Sequence, residues 1–210
     1  MALHPPAGAV KRYVARKLDN GWTVAYGHFN DAGDTFLIVY EAVQGATPAE
    51  FHVKENNPPT PDTGYYFHAA KAIETALREF RGIQGRRYNV AALPAPSDQF
   101  YVYLLPAQTV AGVFPIGGDA RYLVSPDGTG ILETHQMHKS IIDSDVRQIP
   151  PGSTPEGSVH THVLSDTPED SDVFFVLART PHLPEYVGTQ HFIYEVKPDG
   201  TIRFVARMKK

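Results

Sequence analysis

The residues best able to do chemistry lie together in one stretch: His160-Thr-His162-Val-Leu-Ser-Asp-Thr-Pro-Glu169-Asp170-Ser-Asp172. Side chains alternate along a strand, so two histidines spaced by one residue project from the same face. Such a pair can grip one metal ion through imidazole nitrogens. An acidic, proline-marked helix start follows after a short loop and can add a carboxylate oxygen from Asp172. Two nitrogens and one carboxylate, with a fourth place open to water, form the ligand set of a hydrolytic zinc site. Zinc held by His160, His162 and Asp172 is the expected cofactor.

Bulk properties narrow what surrounds such a site. A chain of 210 residues suffices for one generous domain, or for a domain with an extension. Hydrophobic residues at 42% and charged ones at 20% are ordinary for a folded protein. A net charge of −4 gives no electrostatic footprint for nucleic acid. The basic residues that cluster, Arg78, Arg81, Arg86, Arg87 and Lys209-Lys210, read as solvated surface. Cysteine is absent, which excludes disulfides, thiolate catalysis and sulfur-ligated metals. The opening Met1-Ala-Leu-His-Pro-Pro lacks the order of a signal peptide, and no apolar window is long enough to span a bilayer. The expectation is a soluble, cytoplasmic protein with no nucleic-acid or membrane partner.

Residues 12–53 alternate apolar and polar side chains in several runs, with a turn cluster at Asn30-Asp-Ala-Gly-Asp34, and predict a hairpin or meander. Asn56-Asn-Pro-Pro-Thr-Pro-Asp62 reads as a linker, so residues 1–60 form a β-rich extension and 64–210 the main domain. A helix follows at about 65–81, with Ala69, Ala70, Ile73, Ala76, Leu77 and Phe80 on one stripe, Asp62 or Thr63 as cap and Gly82 as stop. Strands are predicted at 89–93, 100–105, 121–124 and 131–137, then at the His160 and His162 segment. Thr167-Pro168-Glu169-Asp170 opens a second helix running to about Arg179, with Thr167 as cap. A final hairpin turns at Lys197-Pro-Asp-Gly200. The fold class is α+β: two or three helices on a mostly antiparallel sheet.

The order of helix, strands, His-x-His strand end and acidic helix start resembles the JAMM/MPN metalloproteases, over about residues 64–210. That resemblance implies the family's layering, which is similar to cytidine deaminases. His160 and His162 match the family's two histidines and Asp172 its aspartate, with Pro168 ahead, as in bacterial members. The resemblance implies hydrolysis of an amide or isopeptide bond in a protein or peptide substrate. The zinc-bound water would be activated, a glutamate would carry its proton, and a serine would stabilise the tetrahedral intermediate. Here Val163 replaces the proline after the second histidine, and Glu169 stands in the serine's place. The family's glutamate position falls in Ser97–Leu105, which holds no glutamate and offers only Gln99. Glu133, with His135 on its own strand face, is the replacement, and Glu133 and Glu169 are the catalytic candidates. His135 and His138 read as hydrogen-bonded or surface histidines. One alternative is a JAMM-like protein-binding module that has lost catalysis. Another is a cupin-like metal protein using Asp166.

Overall fold

The computed structural model describes Pro6, Gly8–Asp19 and Gly21–Met208. Residues 1–5 and 7 of the chain start and the Lys209-Lys210 pair lie outside the described residues. Two α-helices and fourteen strands in four sheets are found among the described residues. The expected α+β layering, a single mostly antiparallel sheet flanked by two or three helices in the JAMM/MPN and cytidine-deaminase manner, is therefore corrected to a mostly β architecture. The physical reason lies in the periodicity of the sequence. Only Tyr65–Glu79 and Asp170–Ala178 form α-helix, while the strand-type stretches build separate sheets instead of one.

The chain divides into two compact units. One holds the chain up to Phe80 with Val90–Val102 and Tyr122–Thr134; the other holds Arg81–Asn89, Tyr103–Arg121 and His135 onward.

The first unit begins with a meander of β1 (Arg12–Leu18), β2 (Gly21–Phe29), β3 (Phe36–Gln44) and β4 (Phe51–Asp62), each antiparallel to its neighbour. The Asn30 side chain closes the β2–β3 turn by accepting from the Asp34 and Thr35 amides. The proline run is not a linker, because Asn56–Asp62 is the second half of β4. Prolines are tolerated there since β4 is an edge strand, with one side free of ladder bonds. Register slips between Ile38↔Thr60 and Tyr40↔Glu55, and the buried Asn56 amide donates to the Ile38 carbonyl at that irregularity.

Helix α1 (Tyr65–Glu79) packs its alanine-rich stripe on β1, β3 and β4, with Ala69, Ala70, Ile73 and Ala76 fully buried. The cap residue is Gly64 rather than Asp62 or Thr63, although Asp62 Oδ1 accepts from the Gly64 and Phe67 amides and so holds the helix start. The helix ends at Glu79, before Gly82, because Phe80 is already extended.

Six strands follow: β5 (Tyr88–Pro94), β6 (Phe100–Pro106), β7 (Val113–Gly117), β8 (Ala120–Val124), β9 (Ile131–Gln136) and β10 (Ile141–Asp145). One sheet has the order β5-β6-β8-β9, and the division between units falls inside each of its strands. Strands β7 and β10 form a separate antiparallel pair.

The second unit is completed by β11 (Ser158–Thr161), α2 (Asp170–Ala178), β12 (Glu185–Gly188), β13 (Phe192–Val196) and β14 (Ile202–Arg207). Strands β11 and β12 are parallel, with α2 as the crossover that a parallel pair requires. Phe175 and Val176 of α2 pack with Val187, Val196 and Ile116 to form this unit's core. The helix starts later than expected. Glu169 is its cap residue, and the Glu169 amide donates to Asp172 Oδ2 at 2.7 Å.

Candidate metal centre

Strand β11 delivers His160, and His162 stands just past its end, where the Gly188 carbonyl accepts from the His162 amide at 2.7 Å. Asp172 enters from the first turn of α2. The carboxyl end of a parallel strand and the N-terminus of the following helix thus meet at one point, a place where open sheets bind ligands. His138 comes from the loop between β9 and β10. One ligand atom from each of His138, His160, His162 and Asp172 lies within 4.8 Å of every other, and all four residues are buried.

Their spacing is tight. His162 Nε2 is 2.8 Å from His138 Nε2 and 3.0 Å from His160 Nε2. Asp172 Oδ1 is 3.1 Å from His160 Nε2 and 3.3 Å from His138 Nε2, and Asp172 Oδ2 is 3.2 Å from His162 Nε2. Zinc–ligand bonds of about 2.0–2.1 Å set tetrahedral edges of roughly 3.3 Å, close to this set.

The far side of each ring decides which nitrogen faces inward. His138 Nδ1 meets Asp119 Oδ1 at 2.8 Å, and His160 Nδ1 meets Glu185 Oε1 at 2.8 Å. His162 Nδ1 meets the Thr167 carbonyl at 3.0 Å and Ser165 Oγ at 3.1 Å. Each outer partner accepts, so each Nδ1 carries the proton and each neutral ring turns an Nε2 lone pair to the centre. Three lone pairs and a carboxylate then face one another, an arrangement that a metal ion or added protons would stabilise. Asp172 Oδ1 is buried, and with the rings in these tautomers it meets only Nε2 lone pairs, 3.1 Å from His160 and 3.3 Å from His138. Such an atom costs stability unless something satisfies it, and a metal ion would.

The surrounding charges bear on what the group could hold. Asp119, Asp172 and Glu185 are three buried carboxylates in contact with the rings, and Arg179 Nη1 neutralises Glu185 at 2.9 Å. Two negative charges remain, which one divalent ion balances. Without an ion, protons do the same work. Burial opposes charge on His138, but Asp119 and Asp172 outweigh it and raise the imidazole to about 10. Burial likewise opposes charge on His160, and Asp172 and Glu185 raise it to about 9. For Asp172, burial alone would raise the carboxyl, yet the three histidines hold it far below its usual range.

The sequence candidates fall into different places. His160, His162 and Asp172 come together as expected. Glu169 and Glu133 are not among the converging ligands. Glu169 Oε2 lies 2.9 Å from His135 Nε2, with only a tenth of its side chain exposed. Glu133 is exposed on β9. Asp166, the cupin-type candidate, is paired with His191 at 2.7 Å and also stays outside the group. Sequence reasoning missed His138 as a candidate ligand, and with it the buried partners Asp119, Glu185 and Arg179. The one signal for His138 was its place after a strand already rich in polar side chains, which does not set direction. No family model, curated protein or solved structure matches the chain. No helix among the described residues is long and apolar enough to cross a membrane.

Proposed function

We propose that this chain is a zinc-dependent hydrolase of amide, isopeptide or related acyl bonds in a peptide or protein substrate. The observation that carries the reading is the convergence of three committed Nε2 lone pairs and a buried, unsatisfied carboxylate oxygen on one point. Nitrogen and oxygen donors with imidazole predominating suit zinc among common divalent ions. The order of His160, His162 and Asp172 resembles that of the JAMM/MPN proteases. A zinc ion there would supply a Lewis acid and a water activated near neutral pH.

The chain's own residues do the rest. Asp119, Glu185 and Thr167 fix the tautomers and orientations of the three rings. Glu169, held by His135 at the cap of α2, would accept a proton and return it to a leaving amine. Its position one turn from Asp172 supports it over Glu133.

One observation favours a second reading, a binding module with a structural ion: four protein ligands are enough to close a tetrahedral shell. Elemental analysis of the purified chain, joined to assays on peptide and isopeptide substrates, tests both. Hydrolysis that is abolished by chelation and restored by zinc is the expected result. About one zinc per chain with no hydrolysis of any such substrate would favour the structural ion. Folded protein that refuses zinc would remove both metal readings.

A further inference from the structure

A catalytic zinc site keeps one position for water or substrate, whereas four protein ligands fill a tetrahedron. The four ligands here are not held alike. Asp172 is locked into the first turn of α2 and its side chain has no exposure. The His162 side chain is 1% exposed, and its amide is bonded to the Gly188 carbonyl. His160 lies within β11 and its side chain is 3% exposed.

His138 is in neither strand nor helix, since β9 ends at Gln136 and β10 begins at Ile141. Its side chain is 8% exposed, the most of the four. Its carbonyl accepts a 3.3 Å bond from the Gln136 side-chain amide. It also walls a cleft of about 140 Å³ together with Met137, Lys139, Ile142, Leu164 and His160. That cleft is of mixed polarity with one cation, Lys139, and both His138 and His160 line it.

We propose that His138 is the displaceable ligand of this centre, and that the position it holds binds an oxygen donor from a small acyl ligand entering by the cleft. This rests on the metal reading above. The ligand class follows from the walls: an apolar acyl group against Met137, Ile142 and Leu164, with a carbonyl, carboxylate or hydroxamate oxygen at the metal and Lys139 near any negative charge. In the exchange, the bond from His138 Nε2 to the ion breaks as the bond from the ligand oxygen forms. No electron is transferred. Asp119 keeps its hydrogen bond to Nδ1, so the released ring stays tethered.

The test uses the full chain loaded with cobalt(II) in place of zinc, and acetohydroxamate as the probe. His138→Ala should retain about one cobalt per chain, since His160, His162 and Asp172 remain, and its visible spectrum should shift on adding acetohydroxamate. Its Kd for the probe should fall about tenfold or more below that of the unaltered chain. Asp119→Asn keeps all four ligands but weakens the anchor of His138, and should shift the Kd in the same direction by less. Glu185→Gln, which loosens His160 instead, should not. A folded His138→Ala chain that loses cobalt as fully as His160→Ala would overturn the inference. So would an Asp119→Asn chain that binds the probe no better than Glu185→Gln. Neither readout depends on hydrolysis. An unaltered chain that takes up no cobalt would instead overturn the metal reading itself, and this inference with it.

Discussion

Asp119 holds His138 and the residue before it: its Oδ1 lies 2.8 Å from the His138 ring Nδ1, and its carbonyl accepts from the Met137 amide at 3.2 Å. It can do so because Gly117 and Gly118 turn the chain immediately before it, at φ +89° and +63°. A Cβ on Gly117 would lie 2.3 Å from the Ser140 carbonyl oxygen. Backbone cannot yield there as a flexible side chain could. Gly117→Ala should therefore destabilise by about 1–3 kcal/mol and weaken metal binding with it. Denaturant melts and zinc titration of the same preparation check both. An unchanged melt with full zinc affinity would contradict this account of the turn.

Metal uptake should release protons. At pH 7 the metal-free centre holds a proton on each of His138 and His160, raised to about 10 and about 9, while Asp172 is already ionised. A divalent ion replaces both, so binding should release about two protons per ion. Calorimetry in buffers of different ionisation enthalpy measures that number. Affinity should climb with pH until roughly 9–10 and then level off, and release near zero at pH 7 would refute the charge balance.

Stability of the chelated protein should follow the opposite course. The folded pKa values of His138 and His160 lie above the unfolded value of about 6.5. Their contribution is thus complete below about pH 6.5 and is lost as pH rises through 9 to 10. Asp172 is depressed, so its contribution is present above about pH 4 and is lost toward acid. Melts of chelated protein should show greatest stability between those limits. The advantage of the zinc-loaded form should widen from pH 6 to 9.

Arg179 offers a test of the support behind His160. Its Nη2 donates to the Leu183 and Pro184 carbonyls at 2.6 and 3.0 Å, its Nη1 pairs with Glu185, and its side chain is 3% exposed. Arg179→Met would leave Glu185 buried without its cation. The cost should be about 3–5 kcal/mol by denaturant unfolding, far more than a surface ion pair would show.

Glu169→Gln should lower hydrolysis on the order of a hundredfold while leaving zinc content unchanged, the usual size of a general-base contribution. Glu133→Gln, on an exposed position of β9, should have little effect. The reverse ranking would return the proton-carrying role to Glu133.

Much of this was legible in the sequence where local rules suffice. Period-two spacing put His160 and His162 on one face, and the turns Ser125–Gly128 and Lys197–Gly200 formed as their Pro-Asp-Gly signals require. The stripe of α1 read correctly because alanines at helical spacing have few alternatives. What failed was long-range. The prolines of β4 mimic a linker, and only knowledge that the strand lies at an edge makes them acceptable. Strands β7, β10 and β12 are short and lack distinct flanking signals, so the parallel pairing of β12 with β11 was invisible. Glu185 could not be connected to His160 without that pairing. His138 sits in a loop, where no periodicity states which way a side chain points.

The loop ligand gives the centre a mechanical consequence. His138, His160 and Asp172 come from three separate segments, and the chain between the first two runs through the long turn-rich stretch Val146–Gly157. Cysteine is absent, so no disulfide can staple that stretch. An ion bound by all four ligands would cross-link it, removing loop-closure entropy from the unfolded chain much as a disulfide across a loop of that length does, about 3 kcal/mol. Each departure of His138 would open that cross-link, so admitting a ligand to the centre and relaxing the stretch from 139 to 159 would be a single event.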